Sequence, residues 1–473
     1  MQNKINVQKN PKEIHKESGQ RASPNGKIQV PKIGWVMRIL TVIGVSGMLV
    51  YYFITGLRLS DPLIIFSTIM PLQELIIVSV GWFFYRNPTG KTTGTEMVSV
   101  LIPVFNQKSM ISAVIDAIAN STYLNIEIIA VNDGSTDGTK EILNDLKRKY
   151  PPLKVIHKKN GGKRAANAAG FAKARGNFIV FIDSDSVIDQ YAIEEFMKTF
   201  CARPDVGAMV GHAKVWNARK NLLTKMQDAW YDSSFNIVKT TESTLKSVVC
   251  CSGCLSAYRR EAIENFVLLW SKQNTVNKND HPETKYFKSN PWKNKKFAKA
   301  STRMLEWVSQ FDDAEDISLT SQTLVDWKTA YVSSAKVYTE VPENMNGFLK
   351  QQVRWKKGWT RTGFFLMTFF WRKNPLISTV FYINTISSFA IPFIMPIVYI
   401  YSPFVLHQYW IPLLSLAVIV SIGIVQGLDY KFRDPTSTAW KYKPLTNIFT
   451  AFTLPWLVIP ALITFKKSQW LTR

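Results

Sequence analysis

Residues 126–135 read IEIIAVNDGS. An apolar, β-branched run that stops at Asn132-Asp133-Gly134-Ser135 has the pattern of a buried strand closed by a turn. The same construction recurs on both sides. Residues 97–105 (MVSVLIPVF) end at Asn106, Leu153–His157 is a further apolar stretch, and Phe178–Ile182 (FIVFI) ends at Asp183-Ser184-Asp185. Between these runs the period changes to that of a helix: residues 108–119 place Ile111, Val114, Ile115 and Ile118 on one face, 138–149 read as helix, and Ala165–Ala174 is Ala-rich. Fully apolar strands alternating with helices predict an α/β fold, a mostly parallel sheet covered on both faces. Such sheets bind ligands at the carboxyl ends of their strands, where Asn106, Asp133, Asp183 and Asp185 all fall.

Further along, residues 206–260 are less regular, and 271–303, rich in Lys, Asn and Pro, read as an inserted loop. Order resumes over 311–332, with a helix after Asp316 (Ile317, Leu319, Leu324). Residues 345–372 interleave Trp355, Trp359, Phe364, Phe365, Phe369, Phe370 and Trp371 with Lys and Arg, as in amphipathic helices at a membrane interface.

Outside this segment the chain is a different material. Apolar runs near 34–56, 62–85, 375–401, 405–428 and 447–465 are each about the 20 residues a helix needs to cross a bilayer. The first lacks a small-residue cleavage pattern and is too long for a signal-peptide core. The basic tail before it (Lys4, Lys9, Lys12, Lys16, Arg21, Lys27, Lys32) lacks the apolar content to fold and favours the cytoplasmic side. Pro455 and Pro460 bend the fifth run, which reads as re-entrant or interfacial, leaving four full spans. The expected organisation is a tail (1–33), two spans (34–86), a cytoplasmic domain (95–344), interfacial helices (345–373), two spans plus a bent segment (374–466) and a cytoplasmic end (467–473). Glu74, inside the second run, is either a functional carboxylate or one bonded to neighbouring helices.

The 473 residues carry a net charge of +24. The basic residues are spread over the tail, the 272–303 stretch and the loops beside the spans, so anionic lipid headgroups are expected as partners and nucleic acid is not. The cysteines, Cys201, Cys250, Cys251 and Cys254, lie in the cytoplasmic segment, where disulfides are not expected. Cys251-x-x-Cys254 has no second pair at zinc spacing and reads as small residues near a substrate.

The polar clusters carry the chemistry. Asp183 and Asp185 are hard oxygen ligands suited to Mg²⁺ or Mn²⁺ on a substrate diphosphate. Asp133 can meet a base or ribose, or simply cap the helix after its turn. Gly161-Gly162-Lys163-Arg164 opens a helix and can hold phosphate, or be a solvated basic turn. Glu315-Asp316 sits at a helix start, where a carboxylate can act as general base or just complement the helix dipole. Gln351, Arg354 and Trp355 share a helix face: Arg grips phosphate, Trp stacks on a sugar, or both anchor an interfacial helix.

Together, LIPVFN (101–106), IAVNDGSTDGT (129–139), GGKRAANAA (161–169), FIDSDS (181–186), AEDISLT (314–320) and QQVRW (351–355) resemble the inverting, GT-A-fold family-2 glycosyltransferases, in particular the membrane-embedded processive group of hyaluronan, chitin and cellulose synthases. Residues 206–236, 248–263 and 339–355 look most like hyaluronan synthases, and Trp470-Leu471-Thr472-Arg473 is similar to their W-G-T-R end. The resemblance implies that Phe105, Asp133, Lys163, Asp183, Gln351, Arg354, Trp470 and Arg473 bind the nucleotide sugar. It further implies that Asp185 binds Mg²⁺ or Mn²⁺, Asp316, beside Glu315, acts as base, and Ser252, Gly253 and Trp355 meet the acceptor. The implied enzyme is a plasma-membrane synthase that takes UDP-N-acetylglucosamine, alone or alternating with UDP-glucuronate, and passes a growing polysaccharide across the membrane. Ala314-Glu315-Asp316 departs from the Gly-Asp-Asp of hyaluronan synthases toward chitin and poly-N-acetylglucosamine synthases. Cys254 replaces a Pro and Leu471 a Gly, and the 271–303 insertion is unusual. A non-processive lipid-linked sugar transferase and an inactive membrane scaffold are the competing readings.

Overall fold

A computed structural model describes residues 30–60, 68–272 and 314–465. Its centre is an eight-stranded sheet of order β3-β2-β1-β4-β7-β6-β8-β5. The parallel half is the one expected: β1 (Val98–Val104) lies between β2 (Ile126–Asp133) and β4 (Phe178–Phe181), and β2 pairs with β3 (Leu153–Lys158), all parallel. Every residue of β1 and β4 is buried, which is why these runs carry no polar alternation.

The stretch expected to be less regular, 206–260, supplies two strands of the other half. β6 (Val206–Val215) and β7 (Ser256–Arg259) pair antiparallel, β7 joins β4 antiparallel, β6 runs parallel to β8 (Lys328–Thr339), and the short β5 (Ser186–Ile188) closes the edge against β8. β6 slips register at Val206/Ala208 and at Val210/His212, and such interruptions hide its strand pattern in the sequence.

Membrane-proximal helices come first, α1 (Lys32–Leu59) and α2 (Ile69–Ser79). The sheet is then covered by α3 (Ile111–Ala119), α4 (Thr139–Lys149), α5 (Lys163–Phe171), α6 (Ala192–Ala202), α7 (Leu222–Ser233), α8 (Arg260–Lys272) and α9 (Glu315–Asp326). α3 buries Ile111, Val114, Ile115 and Ile118, the face read from its period. α5 can lie close on the sheet because its residues are small: a Cβ on Gly170 would stand 3.1 Å from Val131 and 3.4 Å from Leu101. That approach fixes the N-terminus of α5, and so Lys163, over the strand ends.

α10 (Met345–Met367) follows, its first turn capped by Asn344, which accepts from Gly347 N at 2.8 Å. Then come α11 (Pro375–Pro396), α12 (Trp410–Arg433) and α13 (Lys443–Thr453). Among the described residues, four helical stretches are long and apolar enough to cross a membrane: Lys32–Arg58, Pro375–Phe404, Trp410–Arg433 and Ala439–Ile463. The chain thus reads as an integral membrane protein. In the second apolar run the described helix, Pro71–Phe84, is shorter. In the fifth apolar run a 3-10 turn, Pro455–Leu457, lies between α13 and the helix Val458–Ile463. Nearly all of the basic tail and of the 271–303 insertion, and the whole Trp470–Arg473 end, lie outside the described residues.

Candidate active site

The strand ends converge as their apolar runs require. At the end of β1, Asn106 takes a positive φ of 51°. Its N–H donates to Ser135 Oγ at 3.0 Å and its Oδ1 accepts from Thr136 N at 2.9 Å, so the β1 and β2 loops are stitched together. Phe105, half-buried, precedes this turn.

Asp133 is fully buried at the end of β2. Its carboxylate accepts from Gly161 N at 3.0 Å, Gly162 N at 2.8 Å and Lys158 Nζ at 2.5 Å. Asp133 thereby holds the Gly-Gly turn that launches α5. Gly134, with φ at 78°, lies against the same turn, and a Cβ there would fall 2.8 Å from Asn160 N.

Lys163, the first residue of α5, is the hub. Its ammonium lies 2.6 Å from Asp183 Oδ1 and 2.5 Å from Glu315 Oε1. Burial alone would lower this lysine, but Asp183, Glu315 and Asp316 outweigh it and hold it well above the ordinary lysine range. Burial would raise Glu315, yet Lys163, by charge and hydrogen bond, and then Arg354 bring it below the usual carboxylate range. Asp316 goes the other way: burial first, then repulsion from Glu315, raise it above the aspartate range, against an opposing pull from Lys163. Two adjacent carboxylates are thus driven apart, Glu315 held more firmly ionised and Asp316 made the more basic of the two.

Asp316 is oriented by its own helix start and by the loop before β7. Oδ1 accepts from Ile317 N at 2.8 Å and Oδ2 from Gly253 N at 3.3 Å, with the Cys250 thiol 3.8 Å away. Gly253 faces the hub closely: a Cβ there would lie 3.0 Å from Lys163 Nζ and 3.2 Å from Asp183 Oδ1. Ser252, next to it, is within 3.5 Å of Cys254 Sγ. A cavity lined by Lys163, Asn167, Asp183, Gly253, Glu315 and Asp316 marks the place.

Asp185 is half-buried and accepts from Ser186 Oγ at 3.1 Å. Among the described residues no three His, Cys, Asp or Glu side chains are grouped to cage a metal ion. Asp183 and Asp185 at one strand end still fit Mg²⁺ or Mn²⁺, which take one or two carboxylates and fill the remaining positions with substrate phosphate and water. Gln351, Arg354 and Trp355 lie on α10 as their spacing required, and the charge of Arg354 reaches Glu315. Trp470 and Arg473 lie outside the described residues.

Of two further neighbours of the site, Cys250 is among the cysteines noted in the sequence, and Trp230 carries no signal of its own there. Cys250 is at the Asp316 carboxylate, and Trp230 of α7 packs its ring 5.9 Å from that of Trp355 at 33°. Trp230 sits in WYDSSFN, whose aromatics carry no positional signal until α7 is placed. Cys251 and Cys254, the pair expected as small residues near a substrate, are buried in the loop before β7, while Cys201 is exposed and donates to Glu96 Oε1 at 3.5 Å.

The glycosyl transferase family 2 profile matches residues 99–267. A hyaluronan synthase of Streptococcus pyogenes serotype M3 is 27% identical over 416 residues, 85% of this chain and 89% of its own. An N-acetylglucosaminyltransferase of Neorhizobium galegae is 25% identical over 423 residues, 86% of this chain and 88% of its own. Among solved structures, the mannosyltransferase PcManGT from Pyrobaculum calidifontis, determined with GDP-Man and Mn²⁺, is 16% identical and covers 91% of this chain and 98% of its own at a TM-score of 0.49. The matched residues take in the parallel strands β1–β4, which lead to Asp133, Lys163 and Asp183, and part of the mixed half behind them. The chain therefore carries a glycosyl transferase family 2 domain, and with it the enzyme class of that family.

Proposed function

We propose that this protein polymerises an N-acetylglucosamine-containing polysaccharide from UDP-sugars, with inversion at each transfer, and passes the product through its membrane helices. The observation that carries the reading is Asp316: a buried carboxylate raised above its usual range, aimed by Gly253 N and Ile317 N, and set beside the Lys163–Asp183–Glu315 hub. Asp316 takes the proton of an acceptor hydroxyl. The oxygen bonds to the sugar C1 from the face opposite the nucleotide as the C1–phosphate oxygen bond breaks and UDP leaves with that electron pair. Lys163 and Arg354 face the diphosphate and offset the charge that develops on it. Asp183 and Asp185 would hold Mg²⁺ or Mn²⁺, which supplies further neutralisation of the diphosphate. Phe105, with the turn that Asp133 holds, borders the uridine, and Gln351 joins Arg354 at the nucleotide. Ser252, Gly253 and Trp355 border the acceptor, whose retention on the α10 face makes transfer processive. Trp470 and Arg473 are assigned to the nucleotide from resemblance alone.

The family-2 relatives named hyaluronan synthase and N-acetylglucosaminyltransferase support this donor class. Ala314-Glu315-Asp316 favours a second reading, a synthase that uses UDP-N-acetylglucosamine alone. The protein in lipid nanodiscs, with Mn²⁺ or Mg²⁺, is given labelled UDP-N-acetylglucosamine with and without UDP-glucuronate. Hyaluronidase-sensitive polymer formed only with both donors establishes the two-donor synthase, polymer from the first donor alone the single-donor one. Incorporation into neither overturns the proposal.

A further inference from the structure

Four buried charges join the membrane helices to the catalytic domain. Arg38 of α1 donates through Nε to Asp429 Oδ1 of α12 at 2.7 Å, and Asp429 Oδ2 accepts from Arg433 Nε at 2.7 Å. Arg433 then donates through Nη1 and Nη2 to the two carboxylate oxygens of Asp232 on α7, at 2.8 and 2.6 Å. Arg38 is 2% exposed, Asp429 0%, Arg433 6% and Asp232 8%. Nothing in the transfer chemistry uses these groups. A buried ion chain is weak evidence for stability, because desolvation offsets most of its attraction. Its bidentate, directional bonds do fix geometry.

What they fix is α7. Thr446 Oγ1 of α13 donates to Met226 O at 3.3 Å, pinning the same helix from a second membrane segment. Asn236 Nδ2 donates to Asp232 Oδ1 at 2.8 Å, carrying the restraint into the π-helical turn Ser234–Lys239 that follows. Two residues before Asp232, Trp230 meets the ring of Trp355. The chain from Arg38 to Asp232 thus ends on α7 two residues from Trp230, the side chain that backs Trp355.

We propose that Asp232 is a positioning residue for the acceptor: through Arg433, Asp429 and Arg38 it locks α7 to the membrane helices, and through Trp230 it sets Trp355 where the acceptor end meets Asp316. This rests on the reading that Trp355 borders the acceptor. The test uses the full chain in nanodiscs and compares Trp355→Ala, Trp230→Ala, Asp232→Asn and the double variant Asp232→Asn/Arg433→Gln, which leaves the Arg38–Asp429 pair balanced and so avoids an unpaired buried charge. Donor KM is expected to stay within about twofold in the Trp230 and Asp232 variants, because Lys163, Asp183 and Arg354 are untouched. Their kcat for polymer falls roughly tenfold or more, the product shortens, and a larger share of donor is lost to water as free sugar, since a displaced acceptor costs rate rather than donor affinity. Wild-type rate and product length in the double variant overturn the proposal, as does a fall in rate that only tracks the folded fraction. If Trp355→Ala itself leaves rate and length unchanged, the acceptor reading has failed and the proposal falls with it, a result distinguishable by that variant alone.

Discussion

Glu315 Oε1 lies 2.5 Å from Lys163 Nζ, so the first carboxylate of the Glu-Asp pair restrains the lysine proposed to face the donor diphosphate, and the second is the one proposed as base. Glu315→Gln keeps the shape but removes the charge-assisted bond. A bond of that kind contributes about 1.5–3 kcal/mol. Donor KM is expected to rise roughly tenfold to a hundredfold, with kcat changed less. Glu315→Asp, one methylene shorter, falls between the two. Steady-state kinetics against UDP-N-acetylglucosamine checks this, and an unchanged KM in Glu315→Gln removes the restraint from the account.

How much of this was legible beforehand divides along the sheet. β1, β2 and β4 are buried on both faces, so their apolar runs announce them. β6 and β7 contain Gly207, Gly211, His212 and Lys214 or are only four residues long, and are made strands by their neighbours rather than by their own pattern. The site residues were legible as types at strand ends. Their pairing was not: Lys163 meets Glu315, and Asp232 meets Arg433, across long sequence separations that only the packed sheet and helices close. Asp133 shows the limit most clearly, since a capping turn and a ligand were weighed there and the carboxylate proves to hold a different turn, Gly161-Gly162.

Asp316→Asn removes the proton acceptor while its amide oxygen can keep the 2.8 Å bond from Ile317 N, the amide nitrogen taking the place of the oxygen that accepts from Gly253 N at 3.3 Å. Loss of a general base costs about 10²–10⁴ in rate. Polymer synthesis should fall by that factor, with donor binding and the thermal unfolding midpoint retained. In the wild type, the acid limb of the kcat profile should lie above the ordinary aspartate range, because burial and Glu315 raise Asp316 and only its ionised form accepts the proton. A limb in the ordinary range would assign the base elsewhere.

Gly253→Ala tests the closeness of the Gly253 loop to the hub. The added Cβ would meet Lys163 Nζ at 3.0 Å and the Asp183 carboxylate at 3.2 and 3.3 Å. The Lys163 end can move, but only by loosening its bonds to Asp183 and Glu315. Activity is expected to drop about tenfold or more, as sub-ångström displacement of positioned groups does, with little change in unfolding temperature. Wild-type kinetics would mean that the hub tolerates displacement.

Asp228 supplies a pH signature outside the transfer chemistry. Burial first, then the nearby Asp232, push its carboxyl up to about 7, against a hydrogen bond from Tyr430 Oη at 3.2 Å. The folded state therefore holds this proton more tightly than the unfolded chain, whose aspartates titrate near 3.9. The stabilisation is complete below the unfolded value and is lost as pH rises from about 4 through about 7. Asp228→Asn, which stays neutral throughout, should flatten that part of the stability curve and gain relative to wild type most above pH 7. Unfolding midpoints of both proteins in nanodiscs across this range decide it: parallel curves would show that Asp228 is ionised in the folded protein. Convergence at low pH and divergence at high pH would place a neutral carboxyl on α7, one turn before Asp232 and its charged chain.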